Sequence, residues 1–305
     1  MKEDGMLKIV VPASTANLGP GFDSIGLAVS RYLVLEVRRG DEWRFIPRSL
    51  EVQTIPRGTE NLVFQVAEEV AKQYGCTLPN CVVDVYSDIP FTRGLGSSAA
   101  AVVAGIELAN ELACLSLTID EKARLASCYE GHPDNVGASL YGGLVIGSHS
   151  EQETNILSVP DIELDLVAVI PNYELETKKA RNVLPHFFSK AAAVEASAVS
   201  NVLVASLLTK NWELAGKMME SDLFHQPYRK ELVPELSMVQ KLAKEYGAFG
   251  VALSGAGPTV LSFAEPGKGI FIKEKLSEHF QDCTVELLKV EQRGSQVYYN
   301  MALEK

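Results

Sequence analysis

The chain has no basic excess. Its 28 Lys and Arg side chains are outnumbered by 39 Asp and Glu, giving a net charge of −11. A coat for nucleic acid or anionic membrane needs the opposite field, so any anionic ligand must be held by a local constellation. No run of 18 consecutive apolar residues occurs, and Met1 to Gly5 has no apolar signal-peptide core. Both absences read as a soluble, cytoplasmic protein with no membrane and no nucleic-acid partner. The five cysteines, Cys76, Cys81, Cys114, Cys128 and Cys283, are odd in number and scattered. They form no Cys-x-x-Cys pair and face no His cluster at ligand spacing, which leaves structural thiols in a reducing compartment. There is no Gly-x-x-x-x-Gly-Lys-Ser/Thr run, so a P-loop is excluded, and no internal repeat or low-complexity tract. What remains is an ordinary globular composition, 47% hydrophobic and 22% charged over 305 residues. That is enough chain for about two domains at roughly 150 residues each.

Hydrophobic spacing predicts a strand at Leu7 to Val11, a turn-rich loop from Pro12 to Asp23, and extended chain from Ser24 to Val37, followed by a polar stretch at Arg38 to Arg48. Leu62, Val63, Val66, Val70 and Ala71 recur at helical steps within Glu60 to Tyr74, with Gly75 as the stop. A strand at Cys81 to Ser87 precedes a nearly all-apolar, and therefore buried, helix over 97–114. Thr118 and Glu121 form a capping box that opens a helix running to about Tyr129, and a polar loop leads to a strand at Gly142 to Ser148. Ser, Glu, Gln, Thr and Asn cluster between His149 and Pro160, where a boundary is expected. Beyond it the pattern predicts strands at Leu164 to Ile170, Gly250 to Leu253, Val260 to Phe263 and Thr284 to Val290. Helices are expected at Ala191 to Leu208, Trp212 to Glu220, Glu235 to Tyr246 and Ile270 to Phe280. Strands and helices mix without strict alternation, which favours α+β layers over a doubly wound parallel sheet.

The most informative stretch is Pro90-Phe91-Thr92-Arg93-Gly94-Leu95-Gly96-Ser97-Ser98-Ala99-Ala100. Glycines let backbone approach a ligand, and here two hydroxyls follow at once at the start of a long helix. The open N–H groups and the positive dipole end there make a phosphate cradle, and a hydroxyl such as Ser98 can reach a magnesium ion between phosphates. On the residues alone, Gly94 and Gly96 could simply make a turn and Ser97 a cap. Gly94, Gly96 and Ala99 also match a dinucleotide fingerprint. That fingerprint needs a strand running directly into the first glycine and a second parallel strand after the helix, whereas here a proline loop precedes and the Thr118 helix follows.

Gly94 to Ala100 after Pro90 resembles the phosphate motif of the galactokinase, homoserine kinase, mevalonate kinase and phosphomevalonate kinase (GHMP) superfamily. Two more matches stand in the superfamily's order: Val11-Pro12-Ala13-Ser14-Thr15-Ala16-Asn17-Leu18-Gly19-Pro20-Gly21-Phe22-Asp23, and Leu253-Ser254-Gly255-Ala256-Gly257-Pro258-Thr259. Within it the pattern is most similar to the homoserine kinase family, through Glu130-Gly131-His132-Pro133-Asp134-Asn135, Thr177-Lys178-Lys179-Ala180-Arg181 and Tyr228-Arg229. The resemblance implies a two-domain α+β fold, with a ribosomal protein S5 domain 2-like ATP-binding domain over 1–155 and a ferredoxin-like domain over 156–305. It implies ATP and Mg2+ as co-substrate and cofactor, and transfer of the γ-phosphate to the side-chain hydroxyl of L-homoserine in threonine biosynthesis. It leaves a homodimer open.

The same resemblance assigns roles. Pro90 to Ala100 would bind ATP, with Asn61 toward the adenine edge, and Ser98 and Glu130 would hold the metal. Arg181 and Arg229 would grip the acceptor's carboxylate, Asp23 its ammonium, and Asn17, His132 and Asn135 would hydrogen-bond it. Each has a plainer reading: Asn61 as a helix cap, Glu130 as a solvated acid, Asn17 and Asp23 as turn residues, the arginines as ion-pair partners. The Gly255-Ala256-Gly257 loop would pack against the phosphate loop, or be only a hairpin turn. One departure bears on mechanism: Asn135 stands where several relatives place an Asp base, and a carboxamide cannot usefully take a proton. Asn135 is therefore expected to orient an acceptor hydroxyl that attacks directly and loses its proton late, with Asp134 as the rival base.

Overall fold

The computed structural model describes residues 6–299; Met1 to Gly5, read above for a leader, and residues 300–305 lie outside the described residues. The first half runs β1 (Leu7–Asn17), β2 (Gly21–Arg39), β3 (Arg44–Pro47), α1 (Leu62–Gln73), β4 (Cys81–Ser87), α2 (Ser97–Leu112), α3 (Ile119–Glu130), α4 (Asp134–Tyr141), β5 (Leu144–His149) and β6 (Thr154–Val159). The second runs β7 (Asp165–Pro171), α5 (Thr177–Asn182), α6 (Lys190–Leu208), α7 (Trp212–Glu220), α8 (Gln226–Arg229), α9 (Glu235–Glu245), β8 (Gly250–Leu253), β9 (Val260–Ala264), α10 (Gly269–His279), β10 (Cys283–Lys289) and β11 (Gln296–Tyr299).

Seven strands form the first sheet, in the order β11-β1-β2-β4-β3, with β5 on the early part of β2 and β6 on β5. Four form the second, antiparallel throughout, in the order β10-β7-β9-β8. Numbered within that sheet the order is 4-1-3-2, the ferredoxin-like arrangement, with α5 to α9 inserted between its first and second strands. The α+β expectation and the two-part architecture are borne out. Side chains alternate across β7: Leu166, Ala168 and Ile170 join the core that continues into the first sheet, while Val167 and Val169 join the core under α9 and α10. Both faces being covered explains why all seven residues of β7 are buried.

Several expectations need correction. Pro12 to Asn17 continues β1 instead of looping. Pro12 has no N–H to give the ladder, and it sits where the β1–β2 register shifts. The polar loop expected before β5 contains α4. Gly and Pro around it lower helix propensity, but small residues let it lie flat: a Cβ on Gly26 of β2 would collide with the Asp134 backbone. β6 occupies the expected linker as a half-exposed edge strand, so a division at 155/156 falls inside a strand paired with β5. β11 returns to pair with β1, which places the end of the described chain in the first sheet. α5 and α8, at six and four residues, are too short to show a period. α6 is the one helix among the described residues long and apolar enough to cross a membrane by length and composition, and one side of it packs on the core through Leu203 and Leu207.

Candidate active site

Between the two sheets lies a cleft whose floor is the loop ahead of α2. Gly94 and Gly96 adopt φ of 81° and 71°, a region that L side chains avoid. Both also lack room. A Cβ on Gly96 would stand 3.0 Å from the Ser14 carbonyl oxygen and closer still to its hydroxyl, and one on Gly94 would stand 2.9 Å from the Gly257 oxygen. Backbone bonds clamp the loop from both sides: Ser14 N–H donates to Leu95 O at 3.2 Å, and Thr259 N–H donates to Arg93 O at 3.2 Å. Gly96 caps α2 without a side chain, and the helical ladder begins with Ala100 N–H on Gly96 O at 2.9 Å. The amides of Ser97, Ser98 and Ala99 precede that bond and open on the cleft at the positive end of a 16-residue helix. Together they form an anion cradle.

Two cavities meet at this helix start. One, of about 370 Å³, is lined by apolar side chains including Val52, Ile55, Val63, Ile89 and Phe91, and it touches Thr92, Ser97 and Ser98. Its apolar lining suits a heteroaromatic ring. Asn61 lines it, but its carboxamide is occupied as a cap: Oδ1 accepts from Val63 N–H at 3.0 Å and Nδ2 donates to Pro56 O at 2.8 Å. The other cavity is polar and holds the side chains singled out for metal and acceptor. Of the loop residues, Thr92, Gly94, Gly96, Ser97, Ser98 and Ala99 face it, whereas Leu95 and Ala100 are core. Pro90 lines neither cavity. Arg93 turns away, donating to the carbonyls of Phe91, Pro171 and Asn172, and so braces the second sheet.

Ser98 Oγ donates to Glu130 Oε1 at 2.7 Å, joining the start of α2 to the end of α3. This pair of hard oxygens beside an anion cradle fits magnesium, which takes few protein ligands and keeps water and phosphate oxygens for the rest. The one cluster of His and carboxylate groups at metal-ligand spacing among the described residues is elsewhere in the cavity, at Asp23, His132 and Asp134.

The side chains that the resemblance assigns to the acceptor are brought together, though in the open cleft some of them hold one another. Arg181 makes a two-pronged pair with Asp23, at 2.7 and 2.9 Å, across the cleft from α5 to β2. His132 Nδ1 lies 2.6 Å from the buried Asp134 carboxylate. Burial pulls the imidazole down, but the bond to Asp134 and the charges of Asp134 and Asp23 outweigh it and hold His132 above its ordinary value. Asn135 Nδ2 donates to Ser14 Oγ at 3.0 Å, and Asp134 accepts from Asn135 N–H at 2.7 Å. Asn17, at φ 73°, accepts from Asp23 N–H at 3.0 Å and donates to Gly255 O at 3.1 Å. The Gly255–Gly257 loop joins β8 to β9 and also packs on the phosphate loop, with Ser254 Oγ donating to Gly94 O at 2.6 Å.

Matches to two family models follow the same division: the GHMP kinases N terminal domain over residues 61–143 and the GHMP kinases C terminal over residues 203–282. A homoserine kinase of Bacillus licheniformis is 58% identical over 291 residues, 95% of each chain. The chain belongs to the homoserine kinases of the GHMP superfamily. A second member, from Bacillus velezensis, is 56% identical over 98% of this chain and 97% of its own. The crystal structure of homoserine kinase from Cytophaga hutchinsonii superposes with a TM-score of 0.84 at 28% identity, covering 98% of both chains. L. major mevalonate kinase in complex with R-mevalonate shares the fold, with a TM-score of 0.71 at 19% identity over 94% of this chain and 96% of its own.

Residues not singled out for the site from the sequence also line the homoserine kinase cleft. Phe22 lies under both arginines, whose guanidinium carbons each stand 5.5 Å from its ring. Thr177 opens α5 on the same wall. Both fall inside quoted motifs, and only their orientation was hidden. Ser14, inside a quoted motif too, is wholly buried behind the cleft wall and acts through its neighbours: it holds Asn135 while touching the Gly94–Gly96 loop.

Proposed function

We propose that this cleft transfers the γ-phosphoryl group of ATP to the side-chain hydroxyl of L-homoserine, giving O-phospho-L-homoserine and ADP for threonine biosynthesis in the cytoplasm. One observation carries the reading: an anion cradle at one end of a cavity faces two arginines and a carboxylate at the other. An amino acid with a terminal hydroxyl matches that distribution of charge. A sugar would need more neutral hydrogen-bonding groups.

The Asp23–Arg181 pair suits a zwitterion in a further way. An incoming ammonium takes Asp23 and an incoming carboxylate takes Arg181, so both partners exchange one opposite charge for another and neither is left unpaired in a half-buried site. An acceptor bearing only one of the two charges strands a partner. Arg229 supports the carboxylate from the buried side, Asn17 and Asn135 supply neutral hydrogen bonds, and His132, its protonated form favoured by Asp134 and Asp23, supplies a further hydrogen bond to the acceptor.

Phosphoryl transfer asks for alignment and charge neutralisation more than covalent help. Adenine occupies the apolar slot and the triphosphate runs along the amides of Ser97 to Ala99. Magnesium at Ser98 and Glu130 offsets charge on the phosphates when bound. Asn135, fixed by Ser14, orients the acceptor hydroxyl. Its oxygen bonds to the γ-phosphorus as the bond to the β,γ-bridging oxygen breaks, and the hydroxyl proton passes late to a phosphoryl oxygen. Asp134 is tied to His132 and to the Asn135 amide, which suits it to holding that wall in place.

An ATP-consumption assay with magnesium against homoserine, mevalonate, galactose and serine tests the reading. Homoserine should exceed the others in kcat/KM by about 100-fold or more, the discrimination a site with buried polar partners achieves. If another alcohol wins by a wide margin, the acceptor is wrong; with no turnover at all, the chain is a binding module.

A further inference from the structure

His225 is wholly buried, belongs to no part of the site described above, and touches the side chain that most needs aiming. It precedes α8, and its backbone is pinned by Asp222, whose carboxylate accepts from the amides of Phe224, His225 and Gln226. Its ring Nε2 lies 2.9 Å from the Gly19 carbonyl, which can only accept, so the proton sits on Nε2. Nδ1 is then an acceptor, and Arg229 Nη1 lies 3.2 Å from it. Burial and the neighbouring Arg229 charge push the ring down to about 3 although the Asp222 carboxylate stands 3.4 Å from Nε2, which favours the neutral ring that the two bonds require.

Arg229 is itself buried and directs its other inner donors to Ala180 O and Gly255 O, both at 3.0 Å. These three tethers leave Nη2 toward the cavity. One acceptor of Arg229, Gly255 O, also receives Asn17; another, Ala180, adjoins Arg181; and the third, His225, reaches back to Gly19 in the turn between Asn17 and Asp23. The imidazole thus ties the arginine to the turn that carries the ammonium-binding carboxylate.

We propose that His225 is a positioning residue that aims the outer edge of the Arg229 guanidinium at the acceptor's carboxylate, and so makes the enzyme selective for acceptors that carry one. This rests on the reading of the cleft given above. Two carboxamides separate the two bonds of the ring. In His225→Asn the side-chain oxygen falls near the place of Nδ1, keeping the acceptor for Arg229 and losing the bond to Gly19. In His225→Gln the amide nitrogen falls near the place of Nε2, keeping Gly19 and losing Arg229.

The experiment measures kcat and KM for wild type and both variants with L-homoserine, with 2-amino-1,4-butanediol, in which a hydroxymethyl replaces the carboxylate, and with ATP. His225→Gln should raise the KM for homoserine by about tenfold, leave the KM for ATP unchanged, and lower the preference for homoserine over the diol by the same factor. His225→Asn should retain most of the preference. Equal losses on both acceptors in both variants would mean that His225 only holds the fold together, and the proposal falls. If the Gln variant does not fold, His225→Ala, which removes both bonds, takes its place and should lose the preference that the Asn variant retains; a collapsed preference in Asn, or a retained one in Ala, overturns the aiming bond. Wild type that fails to prefer homoserine overturns the cleft reading and this inference together, whereas wild type that prefers it with unmoved variants overturns the inference alone.

Discussion

Gly96→Ala should lower kcat/KM for ATP by about 100- to 1000-fold, the loss seen when one preorganised hydrogen-bond donor is removed from an anion-stabilising site. Gly96 holds φ 71°, where an L side chain costs about 1–2 kcal/mol, and its added methyl would press on the Ser14 carbonyl and hydroxyl. Relief requires the loop to lift, which turns the amides of Ser97 to Ala99 away from the cleft, or requires Ser14 to move, which releases Asn135. Either way the donor of the phosphoryl group and the aim of its acceptor fail together. Gly75→Ala is the control. Gly75 has φ 68°, yet nothing lies within 4 Å of the Cβ it would gain. It should pay a similar conformational cost in the unfolding midpoint with turnover unaffected. If the two variants lose activity equally, generic backbone strain explains Gly96 and the cradle does not.

Glu130→Gln is the second large effect expected. The substitution keeps shape and removes the charge from one of the two oxygens suited to magnesium. Activity at fixed magnesium should fall by about 100-fold, and the magnesium concentration for half-maximal rate should rise by about 10- to 100-fold. The KM for homoserine should move much less, because Glu130 touches no group assigned to the acceptor and reaches Arg181 only through its charge. The competing reading is that Glu130 serves only as the hydrogen-bond partner of Ser98, tying α3 to α2. In that case the variant would keep both its stability and its magnesium profile, since Gln can still accept from the hydroxyl.

Much of this site was legible because local chemistry and the long-range pattern agree. The capping box at Thr118 and Glu121 forms as its residue types demand. The buried α2 follows from a segment that is apolar nearly all round. Other features were hidden because their causes are tertiary. α4 is a poor helix by propensity and exists because Gly26 lets it settle on β2. β6 is a half-exposed strand whose polar residues read as a linker although its partner β5 comes just before it, and β11 is a short strand whose partner β1 lies at the other end of the sequence. Spacing could not show that Asp23 and Arg181, 158 positions apart, would hold each other across the open cleft, nor that the Asn61 carboxamide would be taken up by capping. Residue type shows which groups can meet a ligand, whereas packing decides what they meet before it arrives.

The most direct test is a crystal structure with a non-hydrolysable ATP analogue, magnesium and L-homoserine. The account predicts the phosphate tail against the amides of Ser97 to Ala99 and the metal at Ser98 and Glu130. It also predicts the Asp23–Arg181 pair parted around the amino acid, with the homoserine hydroxyl in line with the γ-phosphorus. A phosphate tail bound away from the start of α2, or an unbroken Asp23–Arg181 pair with homoserine outside it, would contradict the account.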